Sequence, residues 1–599
     1  ILVVIGPVVI FVGGLLVFGG SFGRAEDDPG SNPCVVSFEG GTGSGVGVLN
    51  QTFNGFRYCE YLGIRYAEPP VGPLRFKSPV VRAPKGAEQY TRLGSICAQL
   101  DSFDDAEEVI GDEDCLFLNI YKPLGNLTDD KKYPVLVYIH GGSYAVWSPQ
   151  TDMFGVDLLM ENGVMIVSVN YRLTVLGFLR HPEFNITGNF GLKDHLAALQ
   201  WVKRYIEPFG GDPDNVTIMG QSVGAHSVTY YLYLKPFQGL FNRVIAMSGS
   251  VLAPSAMIYN PEDVSAKYLE SINIHSYDEL MNASFKEVFS LKAYSRRFNF
   301  AYVNLPIFLP TVEDPDDPEA LITQPVHELI LTEPANKVPL MIGMTSLEFT
   351  SLFAGVPVTD FTANDSYPNR QNKTVFREVK SMIDAAAKLA RKVQPNGAGR
   401  HFYGKLADLA NMYYPVKKVL KRLSQLDSYR EPIYYYRFEF DGKFGKYKNY
   451  IYKGAVEPSY PGAIHGDDLG YLFSPYVVRN ALANRSAFRT EWKVTDRYVR
   501  YFSNFVKFGN PTPDFDESAD IQWPAYDGNS MNPQYLNIND EDDVRVDDDR
   551  SHYIFQVWRV AHECLFYYRC LEVQVLKEKI DKYLTSDQDS INLEKLFDE

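Results

Sequence analysis

The sequence predicts an α/β protein built on one large, mostly parallel, doubly wound central sheet flanked by helices. Three observations point there. Short runs rich in Val, Ile and Tyr recur along the chain, spaced by helical or loop segments, the alternation that a parallel sheet with crossover helices requires. One such run, Val216 to Met219, leads straight into Gly220-Gln221-Ser222-Val223-Gly224, and Ala225 to Leu234 can continue as a helix. A chain of 599 residues with 45% hydrophobic and 14% aromatic content has ample material for a large core on one sheet.

Residues 1–23 carry no charge, and the run Ile1 to Phe18 is interrupted only by Gly and one Pro. Gly23-Arg24-Ala25 offers a small-x-small cleavage site, so residues 1–25 read as a signal peptide. The run is long for an h-region of about 7–15 residues, which keeps an uncleaved membrane anchor as the alternative. Residues 26–33 are an acidic, Gly/Pro-rich linker. Export agrees with six cysteines, Cys34, Cys59, Cys97, Cys115, Cys564 and Cys570, an even count without Cys-x-x-Cys. It also agrees with glycosylation motifs at Asn50, Asn126, Asn185, Asn282, Asn364, Asn372 and Asn484. Asn215 has the same pattern but abuts the strand before Ser222. A secreted protein is therefore expected.

Residues 34–576 read as one domain. Val35 to Leu49, Gly-rich with alternating apolar positions, predicts a small edge hairpin. Strands are predicted at Tyr133 to Ile139, Met165 to Val169, Val244 to Met247, Val338 to Ile342 and Ile433 to Phe438, with an amphipathic helix over Leu192 to Ile206. The segments from about 255 to 335 and 355 to 430 read as helical insertions over the sheet's C-terminal edge, where a substrate cleft is expected. Phe555 to Leu576 reads as a packing helix, followed by a charged, loose tail over 577–599.

Gly-x-Ser-x-Gly is a weak signal alone, and its strand–turn–helix context strengthens it. A serine hydroxyl needs a base to take its proton, normally a histidine with a pKa near 7. Ten histidines compete. Longer motifs narrow the choice: Tyr61-Leu-Gly-Ile-Arg-Tyr-Ala-Glu-Pro-Pro-Val-Gly-Pro-Leu-Arg75-Phe76, Asp112-Glu113-Asp114-Cys115-Leu-Phe-Leu-Asn119 and Phe209-Gly-Gly-Asp-Pro before the serine. In this order they resemble the cholinesterase/carboxylesterase family of α/β-hydrolases, closest in look to secreted insect carboxylesterases, over about residues 35 to 560.

The resemblance implies the α/β-hydrolase fold and a serine carboxylic-ester hydrolase working through an acyl-serine. It implies Ser222 as nucleophile, His465 in Pro461-Gly-Ala-Ile-His465-Gly-Asp467-Asp468 as base, and Glu348 in Gly343-Met-Thr-Ser-Leu-Glu348 as the acid. Phe349 stands where the family usually has Gly. Asp467 and Asp468 are rival acids too close along the chain to reach the ring easily, and Asp468 is expected to fix the loop. His226, one helical turn after Ser222, reads as structural. The loop His140-Gly141-Gly142-Ser143-Tyr144 looks like the family's His-Gly-Gly-Gly, which makes the N–H groups of Gly142, Ser143 and Val223 the oxyanion donors. Losing one such donor costs about 2.7–4 kcal/mol. Ser143 replaces a glycine and Val223 a common alanine. The family's first disulfide falls on Cys97 and Cys115, whose loop closure contributes about 3 kcal/mol. Arg75 and Glu113 match a buried ion pair behind that loop. Proximity alone pairs Cys34 with Cys59 and Cys564 with Cys570.

The net charge of −16 argues against nucleic acid or an anionic membrane as partner, and no Walker-type loop or metal-spaced Cys/His cluster occurs. No cofactor and no metal are expected, and the partner is a small-molecule ester. Nothing in the sequence sets an oligomeric state. The segment Ala98 to Asp114 lacks the tryptophan with which acetylcholinesterases bind a quaternary ammonium, and neutral Gln221 replaces their glutamate. Choline esters are thereby disfavoured, and small to medium uncharged esters are expected. Gln221, Arg75-Phe76, Glu348 and Gly462-x-x-His465-x-x-Asp468 also resemble the juvenile hormone esterase pattern, from which Asp194-His195 and Val223 depart. The rival from another class is a catalytically inert or sequestering relative, as in neuroligin-like adhesion proteins, against which all three triad residues count.

Overall fold

A sheet of eleven strands runs through the computed structural model, which describes residues 32–38, 43–100, 108–125, 132–150, 154–289, 308–349, 367–368, 372–393, 401–451, 461–519, 521–546 and 553–585. In chain order the strands are β1 (Val48–Gln51), β2 (Arg57–Arg65), β3 (Phe117–Pro123), β4 (Tyr133–Ile139), β5 (Met165–Val169), β6 (Gly211–Gln221), β7 (Arg243–Met247), β8 (Leu340–Thr345), β9 (Ile433–Phe438), β10 (Gln534–Ile538) and β11 (Asp543–Val546). Their spatial order is β11-β10-β9-β8-β7-β6-β4-β5-β3-β2-β1. From β10 across to β5 every pairing is parallel, and both edges finish antiparallel. This is the mostly parallel α/β sheet expected of the α/β-hydrolase fold.

Parallel strands are covered on both faces and so carry near-continuous apolar runs. β5, β8 and β9 are buried at every position. Period-two alternation divides the core. Val135, Val137, Ile139, Ile218, Val244 and Ala246 join one apolar cluster, and Leu136, Tyr138, Met219, Ile245 and Met247 the other. Helices α1 (Phe190–Tyr205) and α2 (Val223–Tyr230) pack into the first. Three of the five predicted strands have the observed ends, and the one predicted over Val244 to Met247 starts one residue earlier, at Arg243. The one predicted over Val338 to Ile342 runs Leu340–Thr345, beginning later because Pro339 has no N–H to donate to the ladder. Val35–Phe38 does pair with Gly43–Val46, and Gly86–Gln89 adds a third strand to this small sheet.

The described part of the 355–430 segment is largely helical, including α3 (Lys373–Val393) and α4 (Tyr414–Ser424), whereas that of 255–335 has only short helices, the longest Pro261–Ser271, and none over 308–325. Helix α5 (Arg489–Phe508) covers the second face through Tyr498, Phe502 and Phe505. The chain end departs from the expected single helix. It forms α6 (Tyr553–Tyr567) and α7 (Leu571–Leu584), separated where Tyr568 takes a left-handed φ of 59° and Cys564 bonds Cys570. Helix α7 continues past Lys577, where the sequence reading began a loose tail. The reason is its apolar stripe of Val573, Leu576 and Ile580, buried with α3 and α6 in a third cluster. Residues 586–599, like residues 1–31, lie outside the described part. Among the described residues no helix is long and apolar enough to cross a membrane.

Candidate active site

Strands β9, β8, β7, β6 and β4 are consecutive neighbours, and the loops leaving their C-terminal ends converge. β6 ends at Gln221 and α2 starts at Val223, so Ser222 alone makes the turn, with φ 58° and ψ −124°. Such a conformation costs an L-residue about 1–3 kcal/mol and persists only where its surroundings impose it. Here Ser222 N–H donates to Met247 O at 2.9 Å, and Ser222 O accepts from His226 N–H at 3.0 Å. The flanking glycines are sterically required: a Cβ on Gly220 would lie 2.1 Å from Gly224 O, and one on Gly224 2.3 Å from Ile139 O.

The loop after β4 lies against this elbow. A Cβ on Gly141 would meet Gln221 O at 2.7 Å and Ser222 Cβ at 3.0 Å. Gly142 has φ 95°, and Ser143 and Tyr144 follow with φ 58° and 56°. Ser143 therefore adopts the left-handed backbone that the family's glycine adopts freely. The Tyr144 hydroxyl donates to Val223 O at 3.0 Å and lies 3.0 Å from Ser227 Oγ, fastening the loop to α2. Among the described residues nothing accepts a hydrogen bond from the N–H of Gly142, Ser143 or Val223. His140 is buried, which lowers it to about 4, and its neutral ring pairs Nδ1 with Gly141 O at 2.8 Å.

Glu348, fully buried, follows β8, and His465 lies in the loop beyond β9. A backbone bridge between Glu348 and Ile464 joins the two loops, with His465 N–H donating to Glu348 O at 3.0 Å. Glu348 Oε2 is 2.5 Å from His465 Nδ1. Its Oε1 accepts from Ser248 Oγ at 2.7 Å and from Thr345 N–H at 2.8 Å. The carboxylate is thus held from β7, β8 and the histidine loop at once. Asp467 and Asp468 are occupied elsewhere. Asp467 accepts three backbone N–H bonds, from Tyr447, Lys448 and Ile464, each at 2.9 Å, so Asp467 rather than Asp468 fixes the loop. Asp468 accepts from Tyr498 OH at 3.1 Å. Burial pushes its carboxyl up to about 7, and the nearby charge of Glu348 adds to this.

His465 Nε2 lies 3.2 Å from the amide nitrogen of Gln221. With Nδ1–H directed at Glu348, Nε2 carries the lone pair and accepts from that amide. The imidazole thus rests beside the residue that precedes Ser222. The Phe349 ring covers one of its faces, centroids 4.8 Å apart. His226 is fully buried within α2, which lowers it to about 3. Sequence reasoning missed Ser248, the Gln221–His465 contact and the Tyr144 tether. Only Ser248 left a signal, its place directly after a strand that neighbours both β6 and β8.

Cys97 and Cys115 are bonded, as are Cys34 with Cys59 and Cys564 with Cys570. Arg75 grips Glu113 with two buried hydrogen bonds and donates through Nη1 to Ala283 O at 2.7 Å. Asn50, Asn185, Asn282, Asn372 and Asn484 are exposed, and Asn126 and Asn364 lie outside the described residues. Asn215 is tied to Lys507 O and to Arg243. Among the described residues no group of His, Cys, Asp and Glu is disposed to hold a metal ion.

Residues 34–558 match the carboxylesterase family. The chain is 29% identical over 530 residues to juvenile hormone esterase of Heliothis virescens, covering 84% of this chain and 90% of the relative. It is 30% identical over 529 residues to esterase E4 of Myzus persicae, covering 81% and 88%. Among solved structures, juvenile hormone esterase from Manduca sexta with OTFP covalently attached superposes with a TM-score of 0.73 at 25% identity, over 88% of this chain and 99% of that one.

Proposed function

Because the chain belongs to the carboxylesterase family and is a carboxylic ester hydrolase, we propose that it cleaves uncharged esters through an acyl intermediate on Ser222. Ser222 Oγ attacks the ester carbonyl carbon as its proton passes to His465 Nε2. The carbonyl electron pair moves onto oxygen, which the N–H groups of Gly142, Ser143 and Val223 receive. Glu348 stabilises the imidazolium. The tetrahedral intermediate then collapses. The alcohol leaves with the proton from Nε2, and a water activated by His465 later releases the acid from Ser222.

The observation that carries this reading is the Glu348–His465 contact at 2.5 Å, with the second carboxylate oxygen anchored by Ser248 and Thr345. It gives the imidazole the tautomer a base requires, and it disfavours an inert or purely sequestering relative. An uncharged substrate is supported by neutral Gln221. Trp147, just after the oxyanion loop, also has the Lys446 ammonium 6.0 Å from its ring, which opposes a second cation. Hydrolysis of a juvenile hormone-like ester is a second reading, favoured by likeness to two proteins so named. Secretion as a glycoprotein is supported by three disulfides and the exposed glycosylation motifs.

The test is hydrolysis of a graded series of p-nitrophenyl esters and a juvenile hormone analogue by wild type and Ser222→Ala. Turnover should vanish in the variant. Unchanged turnover would refute the acyl-serine mechanism.

A further inference from the structure

We propose that Phe349 is a positioning residue for the histidine base, supporting its charged form and fixing the plane of its ring. The inference rests on the acyl-Ser222 reading and deepens it. In the family pattern the residue after the acid is usually a glycine, and this side chain departs from that pattern.

The phenyl and imidazole centroids are 4.8 Å apart with the planes tilted by 33°. That places the ring's electron-rich face toward the imidazole. The placement is built from the backbone. Glu348 turns at φ 39°, which swings the next residue over the histidine loop, and Phe349 N–H then donates to Asp408 Oδ1 at 2.5 Å. Asp408 is itself buried at the end of the helix Phe402–Asp408. The imidazole is therefore held at three places: Nδ1 by Glu348, Nε2 by Gln221 and one face by Phe349.

The consequence follows from how a π face treats charge. It attracts a cation more than the neutral ring, and His465 becomes a cation only while it holds the proton taken from Ser222. The contact is thus stronger in the transition state than in the resting enzyme, which is the condition for raising kcat rather than lowering KM. Stacking also restrains rotation of the imidazole as Nε2 exchanges Gln221 for Ser222. From exposed to desolvated sites, a cation–π contact corresponds to about two- to thirtyfold in rate.

The experiment compares wild type, Phe349→Leu, Phe349→Tyr and Ser222→Ala on p-nitrophenyl acetate and p-nitrophenyl butyrate. Active sites are counted by stoichiometric organophosphate labelling, so misfolded material does not enter kcat. Phe349→Leu should lower kcat about tenfold at nearly constant KM, equally for both esters, and Phe349→Tyr should stay within about twofold of wild type. The proposal is overturned if Phe349→Leu keeps kcat within twofold, if only KM moves, if Phe349→Tyr loses as much as Phe349→Leu, or if the effect reverses on the longer acyl chain, which would make Phe349 a wall of the cleft. Turnover surviving in Ser222→Ala would instead remove the acyl-serine mechanism, and this proposal with it.

Discussion

The Tyr144 hydroxyl donates to the carbonyl oxygen of Val223 at 3.0 Å. That bond fixes the distance between two peptide segments that must act together. In the proposed mechanism Ser143, next to Tyr144, and Val223 each supply an N–H to the oxyanion, and they belong to different elements, the loop after β4 and the first residue of α2.

Tyr144→Phe removes the tether and keeps the ring, which packs on Phe178 with centroids 4.9 Å apart. We expect kcat to fall about tenfold with KM little changed, since the oxyanion exists only beyond the ground state. Steady-state kinetics on p-nitrophenyl acetate checks this. A rise in KM at constant kcat would mean that the tether shapes substrate binding instead.

Glu348 and Ser248 should separate in magnitude. Glu348→Gln keeps the volume but can leave the imidazole in the wrong tautomer, and a loss of kcat of about 10⁴ is expected. Ser248→Ala deletes one hydrogen bond to a carboxylate that keeps its Thr345 N–H, so a loss of about tenfold is expected. Similar losses in the two variants would show that anchoring the carboxylate matters as much as its charge.

The site was legible in the sequence where its chemistry is written locally. Gly220 and Gly224 are glycines because the elbow leaves no room for Cβ, and Gly142 because Val146 O would lie 2.1 Å from one. Strands β4, β5 and β9 have the predicted ends because their apolar runs are buried throughout or nearly so. What escaped depends on atoms far apart in the chain or on backbone states that residue type does not announce. Ser248 meets Glu348 across 100 positions. Tyr568 breaks the last helix with a positive φ that a tyrosine rarely adopts. Asp467 took the loop-fixing role from Asp468 because three N–H groups converge on it, which spacing could not reveal.

Gln221 occupies the lone pair on His465 Nε2 that the proposed mechanism requires for the Ser222 proton. Breaking that hydrogen bond costs part of about 0.5–1.5 kcal/mol before the base can act. Gln221→Met, apolar and similar in volume, should therefore raise the rate constant for acylation two- to fivefold in single-turnover measurements. A fall would show that the amide orients the ring rather than withholding it.

Asp468 sets a pH dependence of stability. Its folded value of about 7 lies above the reference 3.8, so the native state disfavours its ionised form. The contribution is intact below pH 3.8 and is lost as pH rises toward 7. Asp468→Asn removes its share of the slope, while Asp467, also pushed up to about 7 by burial, keeps its own. Compared with wild type, its melting temperature should be relatively higher at pH 7.5 than at pH 4.5 by a few degrees. An equal difference at both pH values would contradict the assignment.

The central claim is that Ser222 becomes covalently acylated. Its most direct test is mass spectrometry of the native protein treated with a slight excess of an organophosphate, followed by peptide mapping. One adduct per chain on the peptide carrying Ser222, absent after Glu348→Gln on the same timescale, is the expected result. An adduct on another serine, or none while ester turnover persists, would contradict it.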